Sequence, residues 1–171
     1  MVLSGQISGS PKGDVTVVVD RFYVSLYRFA LCLTTSHRDA ADLVRQTFLT
    51  FSRQRHQIHD YSKIECWLFT ALHQYHLIRI RSRRNRPKAE LALEVHDPAM
   101  SNPERPGFPW ECELPAALAR VNETCRPALS LFYLGKFSVR EIAHILQVPI
   151  DTVMSRLSQG KVQLRLILKP S

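Results

Sequence analysis

Six of the chain's ten prolines, Pro87, Pro98, Pro103, Pro106, Pro109 and Pro115, fall between positions 87 and 115. Proline lacks a backbone N–H and clashes with the carbonyl four residues earlier, so no long helix or central strand crosses this stretch. The stretch also lacks a sustained apolar period. It reads as a linker over 87–113, with one helical turn at 89–95 as the most regular structure expected inside it. On both sides, apolar residues recur every three or four positions, the spacing of a helix that buries one face. The expected architecture is all-α, two small helical domains over 14–86 and 114–171 joined by the Pro-rich linker. A Gly/Ser-rich tail over 1–13 precedes them.

In the first domain, Val15, Val18, Phe22, Leu26, Phe29 and Leu33 form one stripe. The run Val17 to Val19 also suits a strand, but the long three-and-four spacing favours a helix. After a turn at His37 to Asp39, a second helix is expected to about Gln57, with Ala40, Leu43, Val44, Phe48 and Phe51 on its apolar face. A polar loop follows from His56 to Tyr61. Ser62-Lys-Ile-Glu65 is a capping-box pattern, and it opens a helix carrying Ile64, Trp67, Leu68, Ala71, Leu72 and Tyr75 that stops before Pro87. Trp67 and Tyr75 fit a core better than a base-stacking platform.

In the second domain, a short helix is expected from Pro115 to Val121. Another is capped near Asn122 or Thr124, has Pro127 in its first turn and is ended by Gly135. Ser138-Val-Arg-Glu141 is a further capping box, opening a helix that ends near Leu146. A final helix starts at Pro149 or Ile150 and runs towards Leu168. The last two helices and Gln147-Val148-Pro149 between them have helix-turn-helix spacing. Ala143 is small where the helices cross, and Ile142 faces Val153. An ordinary helical hairpin with a polar outer face has the same pattern. One local feature argues against the helix-turn-helix: the turn position that glycine usually holds is Gln147, where a left-handed backbone costs ~1 kcal/mol.

The formal net charge is +8, and 45% of residues are hydrophobic, a globular composition with a preference for polyanions. A basic protein with no such partner has the same numbers. Arg79, Arg81, Arg83, Arg84, Arg86 and Lys88 cluster in a region with no acidic residue between Glu65 and Glu90. Basic groups beside aromatics suit a single strand, and a cation-rich helix C-terminus also suits the helix dipole. Cys32, Cys66, Cys112 and Cys125 form no C-x-x-C pair and fit reduced thiols in a cytoplasm. No signal peptide or membrane-spanning run is recognisable. His56, His59, His73 and His76 offer two pairs, but the surrounding sequence has few carboxylates and carries no metalloprotease, phosphate-loop or nucleophile-elbow motif. No metal, cofactor or catalytic residue is expected.

Two blocks together resemble the extracytoplasmic-function (ECF) group of sigma-70-family RNA polymerase sigma factors. Tyr27-Arg-Phe-Ala30, Asp39-Ala-Ala-Asp-Leu-Val-Arg-Gln-Thr-Phe-Leu49 and Trp67-Leu-Phe-Thr70, leading into the arginine run, look like the family's region 2. Arg126 to Leu131, Tyr133, Ser138-Val-Arg-Glu-Ile-Ala143, Val148-Pro-Ile-Asp-Thr-Val-Met-Ser-Arg-Leu157 and Leu164-Arg165 look like region 4. The two blocks stand in the family's order and at its spacing, and together they cover most of the chain outside the tail and linker.

The resemblance implies a subunit that binds core RNA polymerase through the β′ clamp helices and the β flap. It would direct promoter recognition and DNA opening, with no catalytic residues of its own. It implies polymerase docking by Asp42, Leu43, Arg45, Gln46 and Leu49. Reading of the −10 element falls to Tyr61, Ser62, Lys63, His73, Gln74, Arg79, Arg81, Arg83 and Arg84. Reading of the −35 element falls to Arg140, Thr152, Met154, Ser155, Arg156, Ser158, Gln159 and Lys161. Promoter DNA and an anti-sigma factor are the implied further partners. The chain departs from the family pattern at Ala41 and Gln46, where glutamate is usual, and at Arg45, where glutamine is. It departs again at Gln74 and Ile78, where asparagine and aspartate are common, and at Met154 and Gln159, where basic residues are. The docking face is therefore less acidic and the −35 grip weaker or differently specific. Rival readings are a stand-alone helix-turn-helix regulator and a sigma-like decoy that captures an anti-sigma protein.

Overall fold

The computed structural model describes residues 14–58, 60–85 and 113–168, and among these the regular elements are all helical. The tail, most of the linker with its expected turn at 89–95, and His59 lie outside the described residues.

Helix α1 spans Val15–Thr34. The Asp14 carboxylate accepts the Thr16 N–H at its start, and Thr35 closes it in the left-handed region with φ 56°. Val18, Leu26, Phe29 and Leu33 are buried while Val15 and Phe22 are half-buried, so the stripe forms one helical face and the strand alternative at Val17 to Val19 falls. Helix α2 spans His37–Gln54 and begins earlier than its apolar spacing suggested, because Ser36 caps it by accepting the Asp39 N–H at 3.3 Å. A 3-10 turn over Arg55–Gln57 finishes it.

Helix α3 spans Ile64–Asn85 and is entered through a 3-10 turn at Tyr61–Lys63. The expected box between Ser62 and Glu65 does not form. Asp60 is the cap instead, accepting the Ser62 N–H at 3.0 Å and the Ser62 hydroxyl at 2.6 Å. The Ser62 hydroxyl, Lys63 and the Ser62 N–H hold the Asp60 carboxyl below its ordinary pKa. A carboxylate two residues ahead competes better for the free N–H groups than a hydroxyl inside the first turn.

Helices α4 (Glu113–Ala119) and α5 (Arg126–Tyr133) are joined by a tight turn in which Asn122 Oδ1 accepts the Thr124 N–H at 2.9 Å. The residue in the left-handed region after α5 is Lys136 (φ 55°), not Gly135. Gly135 serves a close approach: a Cβ there would stand 2.5 Å from the Phe137 ring and 2.9 Å from the Leu131 carbonyl oxygen. Helix α6 (Val139–Leu146) opens with the expected Ser138–Glu141 box, and helix α7 (Ile150–Leu168) follows. Gln147 adopts φ 56°, ψ 46°, the left-handed turn anticipated from its position. Its side-chain amide donates to the His144 carbonyl at 2.6 Å, a local bond that offsets part of the conformational cost.

Helices α1, α2 and α3 pack on one another, and α5, α6 and α7 pack likewise. The two groups also pack together, α1 against α4 and α5, and α3 against α6. An aromatic chain crosses this boundary: Phe29 to Phe69 at 5.4 Å between ring centroids, then Phe69 to Phe137 edge-on at 4.9 Å. Cys32 on α1 lies 3.9 Å from the Pro115 carbonyl, and burial pushes its thiol pKa up to about 11. One apolar core therefore runs through both halves.

Candidate nucleic-acid and polymerase interface

The helix-turn-helix is built from its cap outward. Ser138 Oγ accepts the Glu141 N–H at 3.3 Å, while a Glu141 carboxylate oxygen accepts the Ser138 N–H at 2.8 Å. The Ser138 hydroxyl and N–H hold the Glu141 carboxyl below its ordinary pKa. Ile142 and Val153 are fully buried, as their spacing predicts. This seats α7 so that Met154, Ser155, Ser158 and Gln159 face solvent, with Arg140 exposed on α6. Thr152 and Arg156 are half-buried. Lys161 is drawn sideways, its ammonium 4.7 Å from the Phe132 ring centroid.

A close crossing of α7 over α5 fixes its position. Gly160 is buried there, and a Cβ on it would lie 2.5 Å from Leu129 Cδ1 and 3.1 Å from Cys125 Cβ. The sequence reading missed Gly160, although a glycine inside a helical pattern is itself a packing signal.

In the first half, Tyr61, Ser62 and Lys63 are exposed on the turn before α3, and Lys63 pairs with Asp60 at 3.1 Å. Gln74 is half-buried, and Arg81 and Arg84 are exposed. Arg79 and Arg83 converge on the Asp39 carboxylate of α2. Arg83 donates to its two oxygens at 3.0 and 3.2 Å, Arg79 bonds Oδ1, and Asp42 lies 3.9 Å from Arg79. This clamp joins residues forty positions apart, so no local spacing reveals it.

His73 is 6% exposed and lies inside the closed molecule rather than on a reading surface. Burial, then His76 and Arg156, pull its pKa down to about 4. Burial also lowers the pKa of His76. Trp67 and Tyr75 are packing residues, Trp67 against Phe51 at 5.9 Å and the Tyr75 hydroxyl bonded to Thr50 at 2.7 Å.

On α2, Arg45, Gln46 and Leu49 are exposed and Asp42 is half-exposed, forming one continuous face. Leu43 is 1% exposed and belongs to the core, so it supports this face from beneath. Among the described residues, no group of three or more His, Cys, Asp or Glu side chains could hold a metal ion. No helix among them is long and apolar enough to cross a membrane.

Residues 113–164 match the family model for sigma-70, region 4. The chain is 28% identical over 169 residues to the ECF RNA polymerase sigma factor SigL of Mycobacterium tuberculosis, covering 96% of both chains. It is 30% identical over 145 residues to the ECF sigma factor SigE of Mycolicibacterium smegmatis, covering 82% of this chain and spanning 56% of that relative's length. In fold it is similar to the Bartonella quintana sigma factor RpoE, solved with the anti-sigma factor NepR. The TM-score is 0.67, with 23% identity over 90% of this chain and 97% of that one. It is similar also to CnrH, solved with the cytosolic domain of CnrY, with a TM-score of 0.60 and 20% identity over 90% of this chain and 86% of the other. A helix-turn-helix behind a three-helix bundle, with relatives of this kind along nearly its whole length, makes this chain similar to the ECF group of sigma-70-family sigma factors, with its second half matching that family's region 4.

Proposed function

We propose that the chain binds core RNA polymerase and directs it to promoters, supplying recognition and strand opening while polymerase makes the bonds. The observation that carries this reading is the capped, left-handed-turn helix-turn-helix, whose second helix turns Met154, Ser155, Ser158 and Gln159 to solvent. These side chains, with Arg140 and Arg156, are the −35 readers. Polar groups on such a helix bond base edges and phosphates, and Met154 offers apolar contact to a thymine methyl. The exposed turn Tyr61-Ser62-Lys63 and the cations Arg81 and Arg84 meet the −10 strand, where unstacking a base costs a few kcal/mol that binding must supply. The α2 face of Asp42, Arg45, Gln46 and Leu49 docks on polymerase.

The packed halves are a resting state. His73 and Arg156, assigned to different promoter elements, share one cleft and must separate to act. Each reader alone is weak, and polymerase gains their joint affinity by holding them apart at the promoter spacing. The structural relative RpoE was solved with an anti-sigma factor, and we extend such a partner to this chain.

Reconstitution with core polymerase on a pool of promoter fragments tests this directly. The full chain should yield transcripts with defined 5′ ends. Leu49→Asp should weaken polymerase binding at least tenfold, whereas Arg81→Ala with Arg84→Ala should slow strand opening and leave polymerase binding intact. A chain that never associates with core polymerase would overturn the assignment. Tight duplex binding without polymerase would favour a stand-alone regulator.

A further inference from the structure

The two halves enclose a cleft of about 530 Å³, within the range of sites that take a small ligand. Six arginines line it: Arg79, Arg81, Arg83 and Arg84 from α3, Arg126 from α5 and Arg156 from α7. The carboxylates on its wall are Asp39 and Glu123. Asp39 is engaged by Arg79 and Arg83, and no carboxylate among the described residues pairs with Arg81, Arg84, Arg126 or Arg156. We propose that this cleft binds a small oligophosphate, either free or carried by a nucleotide, which bridges the two halves in the closed molecule.

Three features favour this ligand chemistry. Guanidinium groups present paired N–H donors that match phosphate oxygens, and so many uncompensated cations in one cavity call for several negative charges on one small molecule. Arg126 is held in place beforehand: its Nε and Nη2 donate to the Val121 carbonyl at 3.1 and 2.9 Å, which fixes the plane of the guanidinium. His73 lines the same cleft at 6% exposure, and its Nδ1 is buried without a protein partner. Such an atom in a folded interior calls for an explanation, and a polar ligand beside it is one.

The source of the phosphates follows from geometry. The cations of α3 face those of α5 and α7 only while the halves are packed together, and a duplex requires them to part. Arg126 stands outside both sets of proposed promoter readers, yet it lines the cleft with its guanidinium anchored by two hydrogen bonds to one backbone carbonyl. A ligand held by both halves disfavours opening by a factor of one plus its concentration over Kd, about a hundredfold at a hundred times Kd. The inference depends on the closed arrangement alone, so it stands or falls independently of transcription activity.

The test is calorimetric titration of the full chain with inorganic tripolyphosphate at near-physiological salt, with small-angle scattering on the same samples. Saturable one-to-one binding and an unchanged or smaller radius of gyration are expected. Arg84→Ala and Arg156→Ala, from opposite walls, should each weaken binding at least tenfold. Arg53→Ala, exposed on α2 away from the cleft, should leave it unchanged. Arg84 is exposed and Arg156 half-buried, so circular dichroism checks that both variants keep their fold. A nucleoside triphosphate binding tenfold tighter than tripolyphosphate would assign a base-bearing ligand; equal affinity would assign the phosphates alone. The proposal fails if tripolyphosphate does not saturate, if Arg53→Ala weakens it as much as the cleft variants, if binding expands the molecule, or if only a single-stranded oligonucleotide binds.

Discussion

Gly160 shows how much one absent methyl group decides. α7 lies against α5 closely enough that any Cβ on residue 160 meets Leu129, itself fully buried. Gly160→Val should therefore destabilise the protein by ~1–3 kcal/mol through overpacking, although valine suits a helix better than glycine does. Chemical denaturation measures this, and an unchanged midpoint would show that the helices can part at no cost. Some single residues were readable in advance. The left-handed turn at Gln147 followed from its place between two helices, and the core positions of α1 followed from spacing. Others were not. Ser62 and Asp60 both suit a cap, and the choice depended on which oxygen reached the free N–H groups. Asp39 acquires its role from Arg79 and Arg83, which only folding brings beside it.

Helix α6 has only eight residues, too few to be stable alone, so its cap matters more than it would on a long helix. Replacing Ser138 with alanine removes the acceptor for the Glu141 N–H and should cost ~0.5–2 kcal/mol, read as a lower urea midpoint. The same variant should lose the acid sensitivity tied to Glu141. That carboxyl is depressed in the folded chain, so its contribution is present above the unfolded pKa and is lost as pH falls through the folded one. If Ser138→Ala matches the wild type in both respects, α6 is held by packing alone. The element boundaries that periodicity located well, α1 and α6, have an apolar stripe and a side-chain cap that agree. Those it misplaced, the start of α2 and the entry to α3, have caps on residues with no part in the stripe.

The closed molecule buries His73 between its halves, which makes its packing pH-dependent. The unfolded imidazole takes up a proton near its ordinary pKa of 6.5, whereas the folded one resists until about 4. Protons therefore favour the unfolded chain, so stability is undiminished above 6.5 and declines as pH falls from there towards 4, by up to roughly 3 kcal/mol. His73→Leu should flatten that part of the stability-against-pH curve relative to wild type. Parallel curves for the two proteins would show that His73 is not desolvated in solution. The fold class, the helix-turn-helix and the family resemblance were legible in the chain because periodicity, capping and turn residues act between near neighbours. The packing of the halves into one core, the burial of His73 and Leu43, the Asp39 clamp and the arginine-lined cleft were not. Each depends on surfaces far apart in sequence, and an apolar stripe specifies that a face must be covered without specifying which other face covers it.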